Sequence, residues 1–278
     1  MKIDTAVQIF LHDKTVYCAP KTCEYYKNML HLFIMYLDTV NISDVEQIDQ
    51  QTLKDFVLYL RQNGVKSTSI HTYMRGVKNF CSWGIFSGNI PPFDYRIKLP
   101  RPDPAQVLPL STDEVNNILK YIRESCPDPF NKELLFRLML DCGLRSSEAL
   151  NLSGKDIDQN KGIIMINHSK FDKSRMIPLP DPVRLLLPDT SGPFFSFSDA
   201  GKSCFFARIK KRTGINRLHA HLLRHTFATS YMCKVGNLEF LRMYLGHASY
   251  DVTRNYIQSA YQCNLLHYDI YKIDDIFT

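Results

Sequence analysis

From Lys98 to Leu110 the chain reads Lys-Leu-Pro-Arg-Pro-Asp-Pro-Ala-Gln-Val-Leu-Pro-Leu, with four prolines in thirteen residues. Each proline holds φ at about −65°, removes a backbone donor and pushes the preceding residue out of the helical region, so neither a helix nor a central strand can pass through this stretch. The 278 residues must therefore fold as two bodies, residues 1–98 and 108–278, joined by an extended linker over 99–107. With 45% hydrophobic and 22% charged residues, each body has apolar surface enough to offset the entropy of ordering it without disulfides. The eight cysteines are scattered, with no Cys-x-x-Cys pair, and read as packing residues in a reducing compartment. No run approaches the roughly 18–20 apolar residues a membrane span needs, and Met-Lys-Ile-Asp puts an acid where a leader would carry its apolar run. The expected location is the cytoplasm, with no membrane partner.

Residues 1–98 show helical periodicity and no strand pattern. Tyr26, Met29, Phe33 and Tyr36 share a face over 22–38; Leu53, Phe56 and Leu60 repeat it over 52–62 before Gly64 stops the helix. Ser67 is expected to cap a helix from 68 to about 83, striped by Ile70, Tyr73, Met74, Val77, Phe80 and Cys81. Past the linker, Ser111-Thr-Asp-Glu114 is a capping box ahead of Val115, Ile118 and Ile122, and a further helix over 130–141 runs up to Gly143. Gly162–Ile166 and Arg175–Leu179 are short β-rich runs joined by a polar hairpin, Asn167 to Ser174, that carries Lys170 and Lys173. Helix resumes from Gly201. No repeat, GxGxxG or P-loop is present.

The charge of +6 favours a polyanionic partner, and its distribution says more. Between Phe56 and Phe93 there is no acid, while Arg61, Lys66, Arg75 and Lys78 fall in that window. A face for phosphates and a merely solvated helix face both fit this segment. The stronger signal is residues 201–238, which hold Lys202, Arg208, Lys210, Lys211, Arg212, Arg217, Arg224 and Lys234 with no acid. Within it, His219-Ala-His221-Leu-Leu-Arg224-His225 places His221, Arg224 and His225 on one helical face. A forked guanidinium can hold two phosphate oxygens, and imidazole can donate a hydrogen bond or trade a proton near neutrality. Zinc is the other chemistry such histidines suggest, but Arg224 would set a fixed positive charge against the ion and no carboxylate stands by.

Three further segments complete a pattern. Asp141-Cys-Gly-Leu-Arg145-Ser-Ser-Glu148 precedes it; Leu245-Gly-His247 follows, with Tyr256 nine residues on in Val-Thr-Arg-Asn-Tyr; and Lys170 lies between in Ser-Lys-Phe-Asp-Lys-Ser-Arg. With these segments in this order the chain resembles the tyrosine recombinases, the phage-integrase and Xer-type site-specific DNA strand exchangers. The resemblance implies a mainly α fold of two domains: an all-helical SAM-like core-binding domain, and a mostly helical α+β catalytic domain with a small antiparallel sheet. It implies Arg145, Lys170, His221, Arg224 and His247 around the nucleophile Tyr256, with Glu148 and His225 in support. Lys66, Arg75, Lys78, Lys202, Arg208, Lys210, Lys211 and Arg212 are the expected DNA contacts. Double-stranded DNA with specific core sites is the implied partner, clamped between the two domains, with four copies acting together. No domain for a second class of DNA site is expected ahead of the helices. The tail after Tyr256, with Leu265, Leu266, Ile270, Ile273 and Phe277, is expected to dock on a neighbouring subunit. Family hairpins often flank their lysine with glycines; here Ser169 and Phe171 stand there, which leaves Lys173 a rival to Lys170.

The residue types suit phosphoryl transfer on physical grounds as well. Charge gathers on the non-bridging oxygens of a phosphodiester under attack, where two guanidiniums each stabilise by about 2–4 kcal/mol, so no metal or other cofactor is required. A phenol with pKa about 10 is only about a thousandth ionised at neutrality, so Tyr256 needs cationic surroundings or a base, for which His221 is the candidate. A lysine crowded by arginines has its pKa pushed down, as a general acid for the leaving 5′ oxygen requires. Two alternatives remain at this stage. One is a strand nicker of the type IB topoisomerase kind; the other is a non-catalytic DNA-binding protein of the same fold.

Overall fold

Four helices, α1 (Ile3–Tyr17), α2 (Pro20–Thr39), α3 (Gln50–Gln62) and α4 (Ser67–Phe86), bury their apolar stripes against one another. The structure, a computed structural model, describes residues 1–101, 107–167, 174–196, 199–247 and 249–273. Phe10 sits at the centre of this first unit, in edge contact with Tyr26, Phe80 and Trp83 at ring separations of 5.4, 5.6 and 5.4 Å. Gly76 lets α4 close on α2, because a Cβ there would meet Met29 Cβ at 2.7 Å. Asp49 caps α3 through the Thr52 amide, and Gly64 turns the chain at φ +72° beyond its end. Ser67 is itself the first helical residue, and Lys66 takes the N-cap place without a side-chain cap. The chain divides into two compact units, Met1–Ala105 and Gln106–Thr278, each with its own core.

The second unit opens on α5 (Thr112–Ser125), whose capping box pairs Ser111 with the Glu114 amide and Glu114 with the Ser111 amide. Helix α6 (Pro129–Leu140) follows and is closed by a wide turn in which the Leu144 amide reaches the Leu138 carbonyl. After the short helix α7 (Ser146–Leu150) come three strands in the antiparallel order β1-β2-β3: β1 (Ile157–Asp158), β2 (Ile163–Ile166) and β3 (Arg175–Pro178). Ile164, Ile166 and Ile177 supply the sheet's buried side, and Ile166 pairs with Arg175 at the base of the hairpin. Then follow α8 (Asp181–Arg184), α9 (Asp199–Thr213), α10 (Ala220–Lys234), α11 (Leu238–Leu245) and α12 (Tyr250–Leu265). Helix α10 is the central member; Leu222 to Tyr231 are buried on it apart from His225, and it packs on both α6 and α12.

The described part of the C-terminal segment lies on its own unit. Residues 268–273 fold back onto their own unit: the Tyr271 amide donates to the Leu110 carbonyl, the Thr112 amide donates to the Asp269 carbonyl, and the Tyr271 hydroxyl donates to Asp141. Ile270 and Ile273 are buried there, because the backbone beside α5 offers their strand a pairing edge over the catalytic unit's own core. Leu265 and Leu266 stay exposed, and Phe277 lies outside the described residues. Among the described residues no helix is long and apolar enough to cross a membrane.

Candidate active site

The C-terminal end of α11 is where the site is assembled. A helix end leaves carbonyls without intrahelical partners and carries partial negative charge, so it attracts cations. Here three consecutive carbonyls each take an arginine: Tyr244 accepts from Arg175 Nε at 2.8 Å, Leu245 from Arg224 Nη2 at 2.6 Å and Gly246 from Arg145 Nη2 at 2.9 Å. Gly246, left-handed at φ +65°, closes the helix and delivers His247 next in the chain. Arg224 is fully buried on α10 and also donates to the Gly143 carbonyl at 2.7 Å. Gly143 has to be glycine for two reasons, since φ is +61° and a Cβ would meet the Phe227 ring at 2.5 Å.

Glu148 binds the same three arginines from behind. Its carboxylate accepts both Arg175 forks at 3.0 and 2.8 Å, Arg145 Nη1 at 2.9 Å and the Arg145 amide at 2.9 Å, with Arg224 Nη1 at 3.9 Å. Three guanidiniums against one carboxylate leave the cluster with a net charge of +2. Burial works to raise the Glu148 pKa, but the Arg175 pair, the Arg145 amide and Arg224 outweigh it and hold the carboxylate ionised. Burial and the neighbouring Arg145 push the Arg224 guanidinium down to about 10, still fully charged at neutrality. Its Nε is buried with no hydrogen-bond partner.

Tyr256, on α12, lies against this cluster in its own chain and is only 3% exposed. Its ring is stacked on His247 at 6.2 Å and tilted against His225 at 5.4 Å. Burial raises the phenol pKa, and Arg224 at close range and Arg145 only partly offset it, so the hydroxyl is protonated in the absence of DNA. His247 is buried between Arg224 Nη2, 3.0 Å from its Nε2, and Thr253 Oγ1, 2.9 Å from its Nδ1. A guanidinium cannot accept, so Nε2 accepts and Nδ1 carries the proton, which it donates to Thr253. His225 Nε2 donates to the Val107 carbonyl at 2.8 Å. Burial lowers the His225 pKa against that bond, and His221 is lowered by desolvation and then by Arg224, His219 and Arg145; both rings are neutral at pH 7.

Of the residues singled out in the sequence, Arg145, Glu148, Arg224, His225, His247 and Tyr256 therefore come together. His221 is exposed one turn before His225 on α10, within the field of Arg224 and Arg145, whereas the rings packed on Tyr256 are His225 and His247. Lys170 and Lys173 lie outside the described residues. Lys202 donates to Ser146 Oγ at 3.1 Å, beside Arg145. Arg208, Lys211 and Arg212 on α9 are exposed and Lys210 is half-buried. On α4, Arg75 is exposed, as is Lys66 at its N-cap, but Lys78 donates to the Ile97 carbonyl and ties down the end of the first unit. Two participants were not singled out. Thr253 sits one helical turn before Tyr256. Arg175 had a signal: a basic residue two before Ile177 on a strand faces the same buried side.

Residues 109–263 match the phage integrase family, and residues 11–86 match the phage integrase N-terminal SAM-like domain. The chain belongs to the phage integrase family. Among curated relatives of this tyrosine recombinase, XerD of Listeria monocytogenes serovar 1/2a is 26% identical over 292 residues, spanning 96% of this chain and 97% of the Listeria protein. Tyrosine recombinase XerC of Psychromonas ingrahamii is 28% identical over 269 residues, spanning 88% and 87%. In fold, the chain is similar to a lambda integrase dimer bound to a core site, with TM-score 0.75, 18% identity, and coverage of 93% of this chain and 96% of that one. It is also similar to the XerH recombinase in a post-cleavage complex, with TM-score 0.70, 23% identity, and coverage of 88% and 78%. As a tyrosine recombinase the chain breaks and rejoins DNA strands at specific sites.

Proposed function

We propose that Tyr256 is the nucleophile of this recombinase and attacks within its own chain's site. The observation that carries the reading is the Tyr256 ring lodged against His247 and His225 with Arg224 and Arg145 facing it. The phenol oxygen attacks phosphorus, its proton leaves to a neighbouring base or to water, and the bond to the 5′ oxygen breaks as that oxygen gains a proton. The product is a 3′-phosphotyrosine. A 5′ hydroxyl from another strand reverses the step, since the linkage keeps the energy of the broken bond and neither ATP nor a metal enters the balance.

Arg145 and Arg224 hold the non-bridging oxygens, and the unpartnered Nε of Arg224 is a buried donor for one of them. His247 holds a further oxygen once its Nε2, which accepts from Arg224 in the absence of DNA, takes up a proton and donates to the phosphate. His221 is the hydrogen-bond partner or proton acceptor at the exposed side, and Lys170 or its rival Lys173 delivers the proton to the leaving oxygen. Lys66, Arg75, Lys202, Arg208, Lys210, Lys211 and Arg212 meet backbone phosphates, with residues 1–98 as core-binding domain and 108–278 as catalytic domain. Double-stranded DNA with specific core sites is the substrate, a homotetramer the acting assembly and the cytoplasm its place. Nicked substrates carrying candidate sites, which trap the covalent complex, followed by identification of the DNA-linked peptide, test the reading: the peptide is to contain Tyr256, and any other tyrosine there rejects it.

A further inference from the structure

All three guanidinium nitrogens of Arg175 are engaged within the protein. Its Nε is spent on the Tyr244 carbonyl and both terminal nitrogens on Glu148, and its side chain is 9% exposed. It is therefore badly placed to hold a phosphate, yet it supplies one of the three positive charges. A phosphodiester brings one negative charge and an ionised phenol a second, so the transition state is a dianion, equal and opposite to the cluster's net +2. Were Arg175 neutral, the net would fall to +1. Both Glu148 oxygens would then be released toward Arg145, already at 2.9 Å, and Arg224, now at 3.9 Å, in competition with the phosphate.

We infer that Arg175 is a positioning residue of strand cleavage: by occupying both oxygens of Glu148 it leaves the charge of Arg145 and Arg224 available to the phosphate and to Tyr256. The inference rests on Tyr256 as nucleophile. Among the described residues, the groups that face Tyr256 are Arg224 and His225 from α10, His247 from the turn after α11 and Arg145 from the start of α7. Burial lowers the His225 pKa and His247 takes a hydrogen bond from Arg224 at Nε2, so the arginines set the field at the phenol, and Glu148 is the charge that can cancel it.

The test measures the rate of covalent adduct formation by the full-length chain on nicked core-site DNA at saturating protein, from about pH 6 to 9. Arg175→Gln is expected to slow cleavage roughly ten- to a hundredfold and move the pH–rate profile about one unit alkaline, with DNA affinity little changed. Arg175→Gln combined with Glu148→Gln restores the net +2, and is expected to return the profile to its original position and recover most of the rate. Arg175→Lys keeps the charge and loses the fork; its rate falls but its profile stays, which keeps the test decisive if Arg175→Gln fails to fold. An unshifted Arg175→Gln profile, a double variant no faster than the single, or a shifted Arg175→Lys profile overturns the inference. Tyr256→Phe in the same assay separates the two claims. An adduct that persists there removes the nucleophile assignment and this inference with it. If that adduct is absent while the Arg175 variants behave as wild type, only the role of Arg175 falls.

Discussion

At the scale of single residues, the site depends on guanidinium geometry as much as on charge. Arg224 uses separate nitrogens for the Gly143 and Leu245 carbonyls and still has Nε open, a division a lysine's single ammonium cannot reproduce. Arg224→Lys is therefore expected to lower the cleavage rate about 10²–10³-fold, measured as adduct formation on nicked DNA, with the fold retained by circular dichroism. The histidines give a pH dependence whose sign is fixed. His221 and His225 both have folded pKa values below the usual 6.5, so the unfolded chain takes up protons first on acidification. Their contribution to stability is whole above about pH 6.5 and is lost as pH falls below it, so the melting temperature of His225→Gln is expected to lose part of that acid dependence. Much of this site was legible in the sequence because its members sit in short runs with fixed spacing: Arg145 with Glu148, His221 with Arg224 and His225, His247 with Tyr256. Arg175 was signalled only as a strand residue on the buried side, because its partner Glu148 is 27 residues away and no local spacing records that contact.

At the scale of elements, the end of α11 and the end of α6 are the two backbone features on which the arginines converge. Gly143 belongs to the second: its left-handed φ is strained for any other residue, and the Phe227 ring fills the space a Cβ would need. Gly143→Ala is expected to destabilise the catalytic unit by more than about 1 kcal/mol, read as a lower midpoint in urea, and to slow cleavage by displacing the carbonyl that holds Arg224. Thr253→Val keeps the shape and leaves the buried Nδ1–H of His247 without its acceptor, so cleavage is expected to slow and stability to fall by about 1–3 kcal/mol. Periodicity disclosed the long helices readily, since Leu53, Phe56 and Leu60, or Val115, Ile118 and Ile122, recur on one face. It did not disclose α7, which is five residues long and held in place by Arg145 and Glu148, or β1, a two-residue strand made by pairing with β2. Ser67 was expected as a cap, but it is the first residue of α4 and Lys66 stands at the N-cap.

At the scale of the whole molecule, the proline-rich linker marks the division between two units with separate cores. The C-terminal segment was expected to dock on a neighbouring subunit; its residues 268–273 lie on their own unit and Leu265 and Leu266 stay exposed. Its apolar residues announced a docking strand, but composition does not say whose surface receives it, and Ile270 and Ile273 are buried in the unit that bears them. Deleting residues 268–278 is therefore expected to lower the stability of the catalytic unit, by roughly 1.5–3 kcal/mol for each of those isoleucines, measured by urea unfolding. Unchanged unfolding would show that the segment is not part of that core. The central claim is that a buried phenol beside a doubly positive arginine cluster opens the DNA backbone. Its most direct measurement compares the full-length chain with Tyr256→Phe on the same nicked core-site DNA, scoring protein–DNA adducts on a denaturing gel and binding by mobility shift. The account predicts that the substitution abolishes the adduct and leaves the shift in place; an adduct of undiminished yield from Tyr256→Phe would contradict it.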